Sequence, residues 1–282
     1  MKSLFHRYVE SPEFNYELAK TLLNLSAEAY NDEDKFDLSG ENIEKLYCFS
    51  DTKLESMAYL TYSSVFNCLM VGFRGTSNPN SLIRDIVAIK ETYPKGKYPA
   101  LFTPKVHKGA LQAYLALRDE VFSKIKVELK SRNINTLYVT GHSLGGALAT
   151  ICAYDCQSEF PDVEVGMYNF GSIRTGNLPF AMKYNKLVPN TYRIVNNEDF
   201  GARFPKLLYK HVGKLVFISN RKLRINPSRF FQFLENLDNP IGIATGQAVF
   251  DHLVHKYKVV MDNLVEYKPG KEYRKIDDVK KD

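Results

Sequence analysis

Gly141-His142-Ser143-Leu144-Gly145-Gly146 places a serine between closely spaced glycines. A serine hydroxyl is a poor nucleophile until a base takes its proton and a third group holds that base in the right tautomer. The G-x-S-x-G pattern alone also fits a glycine-rich turn with an idle serine. Its context argues for chemistry: β-branched Val139 and Thr140 precede it and a helical run, Ala147 to Tyr154, follows. A sharp strand-to-helix turn at that point lifts a hydroxyl above a sheet. Small flanking residues allow the strained turn, and Gly145 and Gly146 let the helix approach its neighbours.

In α/β-hydrolase topology the partners follow in the order serine, acid, histidine. The histidines downstream are His211, His252 and His255. His252, in VFDHLVHKY, sits at the expected start of the last helix, late enough to return over the sheet. His252 is favoured; His255, one turn further, is the alternative base, and a surface position for both is the remaining reading; His211 lies in a basic segment and reads as a surface or strand residue. For the acid, Asp199 follows the strand TYRIVN, at the carboxyl edge where sites of open α/β sheets gather. Glu198 should face the other way, and Asp162 reads as a strand start. An oxyanion needs donors: the backbone N–H of Leu144 at a helix N-terminus is one. Thr76, after the strand in VGFRGTSN, offers a backbone N–H and a hydroxyl; the alternative for it is an ordinary turn or helix cap.

Elements must carry these groups to one place. Apolar spacing predicts a helix over about Phe14 to Tyr30 and another from Gly109 to about Lys130. Strands are expected near Lys45–Phe49, Ser56–Tyr62 and Val65–Phe73, the last two joined as a hairpin through Ser63-Ser64. TLYVT, a helix from Ser143 to about Phe160, VEVGMYNF, a helix near Leu178–Tyr184 and TYRIVN then alternate. That alternation predicts an α/β protein with a mostly parallel central sheet and helices on both faces. A last helix is expected over about His252–Leu264. Residues 1–265 are read as one domain and 266–282 as a charged, solvated tail.

Composition bounds the rest. The chain has 282 residues, 44% hydrophobic and 25% charged, the proportions of an ordinary globular domain. Charge interrupts MKSLFHRYVESPEF before an apolar core of signal-peptide length forms, and there is no run of about 18 apolar residues. The expected location is therefore cytoplasmic or peripheral to a membrane, with export by a route lacking a signal peptide left open. Cys48, Cys68, Cys152 and Cys156 have neither zinc-site spacing nor disulfide-scaffold density. Neither a metal nor an organic cofactor is expected.

Six separated motifs together resemble the class 3 lipases: GFRGT, VHKGALQAY, VTGHSLGGALA, YNFGSIRTGN, YRIVNNEDF and DHLVHKY, spanning Val71 to Tyr257. The resemblance implies an α/β-hydrolase fold, Ser143 as nucleophile, Asp199 as acid, His252 as base, and Thr76 with Leu144 as oxyanion hole. It favours His252 because a tyrosine, here Tyr257, follows the family's histidine by a few residues. It also implies a short helical lid between Thr76 and about Lys90, with Leu82, Ile83, Ile86 and Val87 on an apolar face that covers the site in water and turns toward lipid; a fixed core helix is the alternative. The sequence departs from the family at SNPNSLIRDIVAIK, where many members carry tryptophan, at Ile173, and at FGARFP after the acid. These loops shape the pockets that select substrate.

The expected activity is hydrolysis of lipid esters, acylglycerols or phospholipids, through an acyl-enzyme. Alternatives are a small-ester or feruloyl-type esterase, a non-catalytic lipid-binding module, and acyl transfer to an acceptor other than water. From Phe200 to Leu234 there are eight Lys or Arg and no acid; without them the formal charge of +6 becomes −2. This basic segment, 203–229, is a candidate for peripheral contact with anionic membrane, with a solvated sheet face as the alternative. No nucleic-acid motif accompanies the charge.

Overall fold

Side chains alternate between the two faces of the central strands, so each face can bury an apolar layer. The computed structural model describes residues 13–76, 89–197, 199–206, 208–219, 222–226 and 247–264. Strands β1 (Ile43–Asp51), β2 (Ser56–Ser63) and β3 (Cys68–Phe73) form an antiparallel meander. A separate ribbon pairs β4 (Lys90–Thr92) with β5 (Lys105–His107). Strands β6 (Thr136–His142), β7 (Glu164–Phe170), β8 (Thr191–Asn196) and β9 (Lys214–Ser219) continue the main sheet in parallel from β3, and β10 (Lys222–Ile225) closes the edge antiparallel to β9.

Helices cover both faces, as the alternation predicts. Helix α1 (Tyr16–Glu28) packs on one, burying Leu18, Leu22 and Leu25 in the cluster that holds Met70, Tyr168 and Ile194. On the other, α2 (Lys108–Ser131), α3 (Leu144–Glu159) and α4 (Leu178–Leu187) enclose Leu69, Val71, Leu137, Val139 and Met167. Each fully buried Leu or Val of this kind contributes roughly 1.5–3 kcal/mol. α1 is also keyed to the sheet by polar contact: Ser26 Oγ and Thr140 Oγ1 lie 2.8 Å apart, both buried. Leu25 fills the space above Gly72, where a Cβ would meet its Cγ at 2.6 Å. Cys152 and Cys156 are buried on α3.

Two expectations change. The segment after Asp199, where the sequence predicts no strand bounds and a sheet face is only the alternative to membrane contact, supplies β9 and β10. The predicted last helix is two helices, α5 (Gln247–His252) and α6 (Val254–Asp262), separated by extended Leu253. On one continuous helix His252 and Tyr257 would point about 140° apart; the break brings both to Asp199. The charged tail 266–282 and the lid positions Leu82, Ile83, Ile86 and Val87 lie outside the described residues.

Candidate active site

One residue makes the turn between β6 and α3. Ser143 has φ +58° and ψ −124°, a conformation that costs a non-glycine residue on the order of 1–3 kcal/mol. The glycines around it are required by contact. A Cβ on Gly141 would lie 2.4 Å from the carbonyl of Gly145, and one on Gly145 would lie 2.3 Å from the Phe73 carbonyl oxygen. On Gly146 it would meet Ser172 Cβ at 2.6 Å. The elbow thus touches the end of β3, whose next residues lead to Thr76.

Ser143, Asp199 and His252 come together at the carboxyl ends of β6 and β8, all essentially closed to solvent. His252 Nδ1 is 2.7 Å from Asp199 Oδ1 and His252 Nε2 is 2.9 Å from Ser143 Oγ. Because the carboxylate can only accept, Nδ1 carries the proton and Nε2 is left to receive the serine's. Asp199 sits in a cup of donors. Gly201 N–H reaches Oδ1 at 2.7 Å, Ala202 N–H at 3.4 Å, and the Tyr257 hydroxyl donates to Oδ2. Burial and the neighbouring carboxylate push the Tyr257 hydroxyl's pKa up, keeping it a donor. The single turn Gly201–Arg203 that shapes the cup is braced: Arg174 Nη1 donates to the Arg203 carbonyl at 2.7 Å, and a ring nitrogen of His211 lies 2.6 Å from the Ala202 carbonyl. His211 is therefore a half-buried brace and not a surface residue; burial and the nearby Arg193 and Arg174 guanidinium groups hold its pKa down.

Side chains satisfy the carbonyls that end α5. Asn196 Nδ2 donates to the Asp251 carbonyl at 3.0 Å, and His142 Nε2 lies 2.6 Å from the His252 carbonyl. Phe200 packs against the His252 ring with centroids 4.9 Å apart, and groups with Leu144, Phe204 and Val249 beside it. Asn196, Gly201 and His142 were not singled out from sequence. The first two flank Asp199 within three residues, so a closer look at its turn was the available signal; His142 was visible only as the variable residue of the elbow.

The remaining expected positions fall as follows. Leu144 opens α3, where its N–H is free of the helix ladder. Half-buried Thr76 follows Gly75, whose added Cβ would strike the His142 carbonyl oxygen at 2.6 Å, so this turn abuts the elbow. His255 is exposed on α6, Asp162 is exposed before β7, and Glu198 lies outside the described residues. Among the described residues there is no group of three or more His, Cys, Asp or Glu suited to a metal ion.

A family model described as lipase (class 3) matches residues 70–209. The chain is 34% identical over 179 residues to the secreted mono- and diacylglycerol lipase LIP4 of Malassezia restricta, covering 61% of this chain and 60% of that one. It is 32% identical over 155 residues to the chloroplastic phospholipase A(1) DAD1 of Arabidopsis thaliana, covering 51% and 35%. The chain thus spans less than two thirds of the length of these curated relatives. The solved structure of Rhizomucor miehei triacylglyceride lipase superposes with a TM-score of 0.70 at 23% identity, covering 86% of this chain and 94% of that one. The shared architecture is the α/β-hydrolase fold.

Proposed function

Because the chain belongs to the class 3 lipase family, we propose that it is a serine carboxylic-ester hydrolase acting on acylglycerols or phospholipids. The observation that carries this reading is the continuous hydrogen-bonded line from Ser143 Oγ through His252 to Asp199, buried at one sheet edge. Ser143 attacks the ester carbonyl as His252 Nε2 takes its proton. Leu144 N–H and Thr76 receive the oxyanion; loss of one such donor costs about 2.7–4 kcal/mol of transition-state stabilisation. His252 then protonates the leaving alcohol, and in the second half activates water against the acyl-enzyme while Asp199 steadies the imidazolium. No step calls for a metal or an organic cofactor.

The test is a panel of para-nitrophenyl butyrate, a triacylglycerol emulsion and phospholipid vesicles, given to wild type and Ser143→Ala. Activity that falls in the variant by up to roughly 10⁶-fold supports the reading, and the best substrate names the subclass. Wild-type inactivity on every ester contradicts it.

We also propose that anionic lipid is the preferred surface. The support is wider than the 203–229 segment read from sequence. Gly176 bridges to both Val106 and Lys210, which joins the β5 segment, the loop before α4 and the segment after Asp199. Exposed Lys105, Lys206 and Lys210 lie on these joined segments with exposed Phe102 and Leu208, and exposed Met182 and Lys183 follow on α4. Arg203, counted in the basic segment, is buried and belongs to the cup instead. Basic residues near a membrane contribute about 1 kcal/mol each. Lys206→Glu with Lys210→Glu should weaken sedimentation with anionic vesicles and leave neutral vesicles unaffected. Equal binding of wild type to both would remove the proposal. Among the described residues no helix is long and apolar enough to cross a membrane.

A further inference from the structure

The reacting histidine is fixed at its side chain by Asp199, yet its main chain also needs an anchor. His252 ends α5, and the extended Leu253 interrupts the helix, so the next helical bond runs from Lys256 N–H to the Leu253 carbonyl instead. The His252 carbonyl is instead met by His142 Nε2 at 2.6 Å. His142 is buried, and its Nδ1 lies 2.8 Å from the hydroxyl of Tyr30, the second residue after α1. The donor pattern follows from elimination. A carbonyl only accepts, so Nε2 carries hydrogen; burial and the adjacent His252 hold the His142 pKa down to about 3, so the ring stays neutral and Nδ1 accepts. The Tyr30 O–H therefore donates to Nδ1, and the same hydroxyl lies against Gly75. A side chain at Gly75 has no room, since its Cβ would come within 2.2 Å of that hydroxyl.

We infer that His142 is a positioning residue for the base, holding the His252 main chain, and that Tyr30 ties the Thr76 turn to the same ring. The inference rests on the hydrolase reading above. Its physical content is that nucleophile and base share one anchor: His142 precedes Ser143 in the chain, so the elbow that aims the hydroxyl also holds the residue that must receive its proton. The titratable groups around His142 are His252, Asp199, Tyr257 and Tyr30. Its own ring carries no charge at working pH and acts by geometry. Helix α1, docked through Ser26 and Leu25, thereby reaches the active site without contributing a reacting atom.

The experiment compares wild type, Tyr30→Phe, His142→Leu and His142→Gln, each checked for folding by thermal melting. Two readouts are taken: the rate of labelling by a fluorophosphonate, and kcat and KM on a soluble short-chain ester. His142→Leu should lower kcat and the labelling rate by about 10²-fold, the effect of an ångström-scale misplacement, with KM nearly unchanged. His142→Gln, whose amide keeps a donor near the Nε2 position, should recover most of that loss. Tyr30→Phe, nearly isosteric and expected to fold, should lose about 10-fold, the worth of one buried hydrogen bond. A folded Tyr30→Phe or His142→Leu that labels at the wild-type rate overturns the inference, as does His142→Gln no better than His142→Leu. If the wild type itself fails to label, the hydrolase reading falls and takes this one with it; if the wild type labels and the variants match it, only this inference falls.

Discussion

At the residue scale the narrowest tolerance is around the imidazole. A Cβ on Gly201 would lie 2.2 Å from His252 Cε1 and 2.5 Å from Nδ1, and the rings of Phe200 and His142 already pack against that imidazole. Gly201→Ala should therefore displace the ring and lower kcat by about 10²-fold. Gly40→Ala, where a Cβ meets nothing within 4 Å, should leave it unchanged. Wild-type turnover in Gly201→Ala would mean that the ring is not held where the Ser143 contact requires it. Ser143, Asp199 and His252 were legible in sequence because each sits in a short local pattern: a glycine box, a strand end, a late histidine with a tyrosine behind it. The Tyr30 to His142 contact was not, because it joins residues 112 positions apart. No periodicity encodes such a pairing; only the docking of α1 creates it.

At the element scale the alternation of strand and helix was readable wherever one face of an element is buried. TYRIVN is β8 to the residue, and the helix expected to start at Gly109 starts at Lys108. β3 begins at Cys68 and not Val65, because Asn67 takes a positive φ of 46° in the hairpin turn. The failures have a common physical cause, which is that tertiary demands override local pattern. KLVFIS in β9 is buried through its centre, but it lay inside a run of lysines whose charge was the more conspicuous signal. The break at Leu253 has no proline or glycine to announce it. It is set by the two carbonyls that Asn196 and His142 capture and by the need to turn both His252 and Tyr257 toward Asp199.

For the whole molecule, the histidines outside the triad predict a pH dependence of stability. Burial holds the pKa values of His107, His142 and His211 below the ordinary histidine range, His142 down to about 3. Unfolded histidine titrates near 6.5, so below that pH the unfolded chain binds more protons than the folded one. The stability from keeping these rings neutral is full above pH 6.5 and is lost as pH falls toward each folded value, by about 1.4 kcal/mol per pH unit per ring. Denaturation midpoints should drop between pH 7.5 and 5.5, and His142→Gln should show a shallower drop. Equal slopes in the two proteins would contradict a buried neutral ring at His142.

Every catalytic step proposed above requires Ser143 as the attacking group, and one measurement addresses that directly. The protein is reacted with a fluorophosphonate, digested, and the peptide bearing Ser143 is weighed by mass spectrometry, with Ser143→Ala treated in parallel. The account predicts a single phosphonylated serine at position 143 and no adduct in the variant. An adduct elsewhere, or labelling that survives Ser143→Ala, would contradict it.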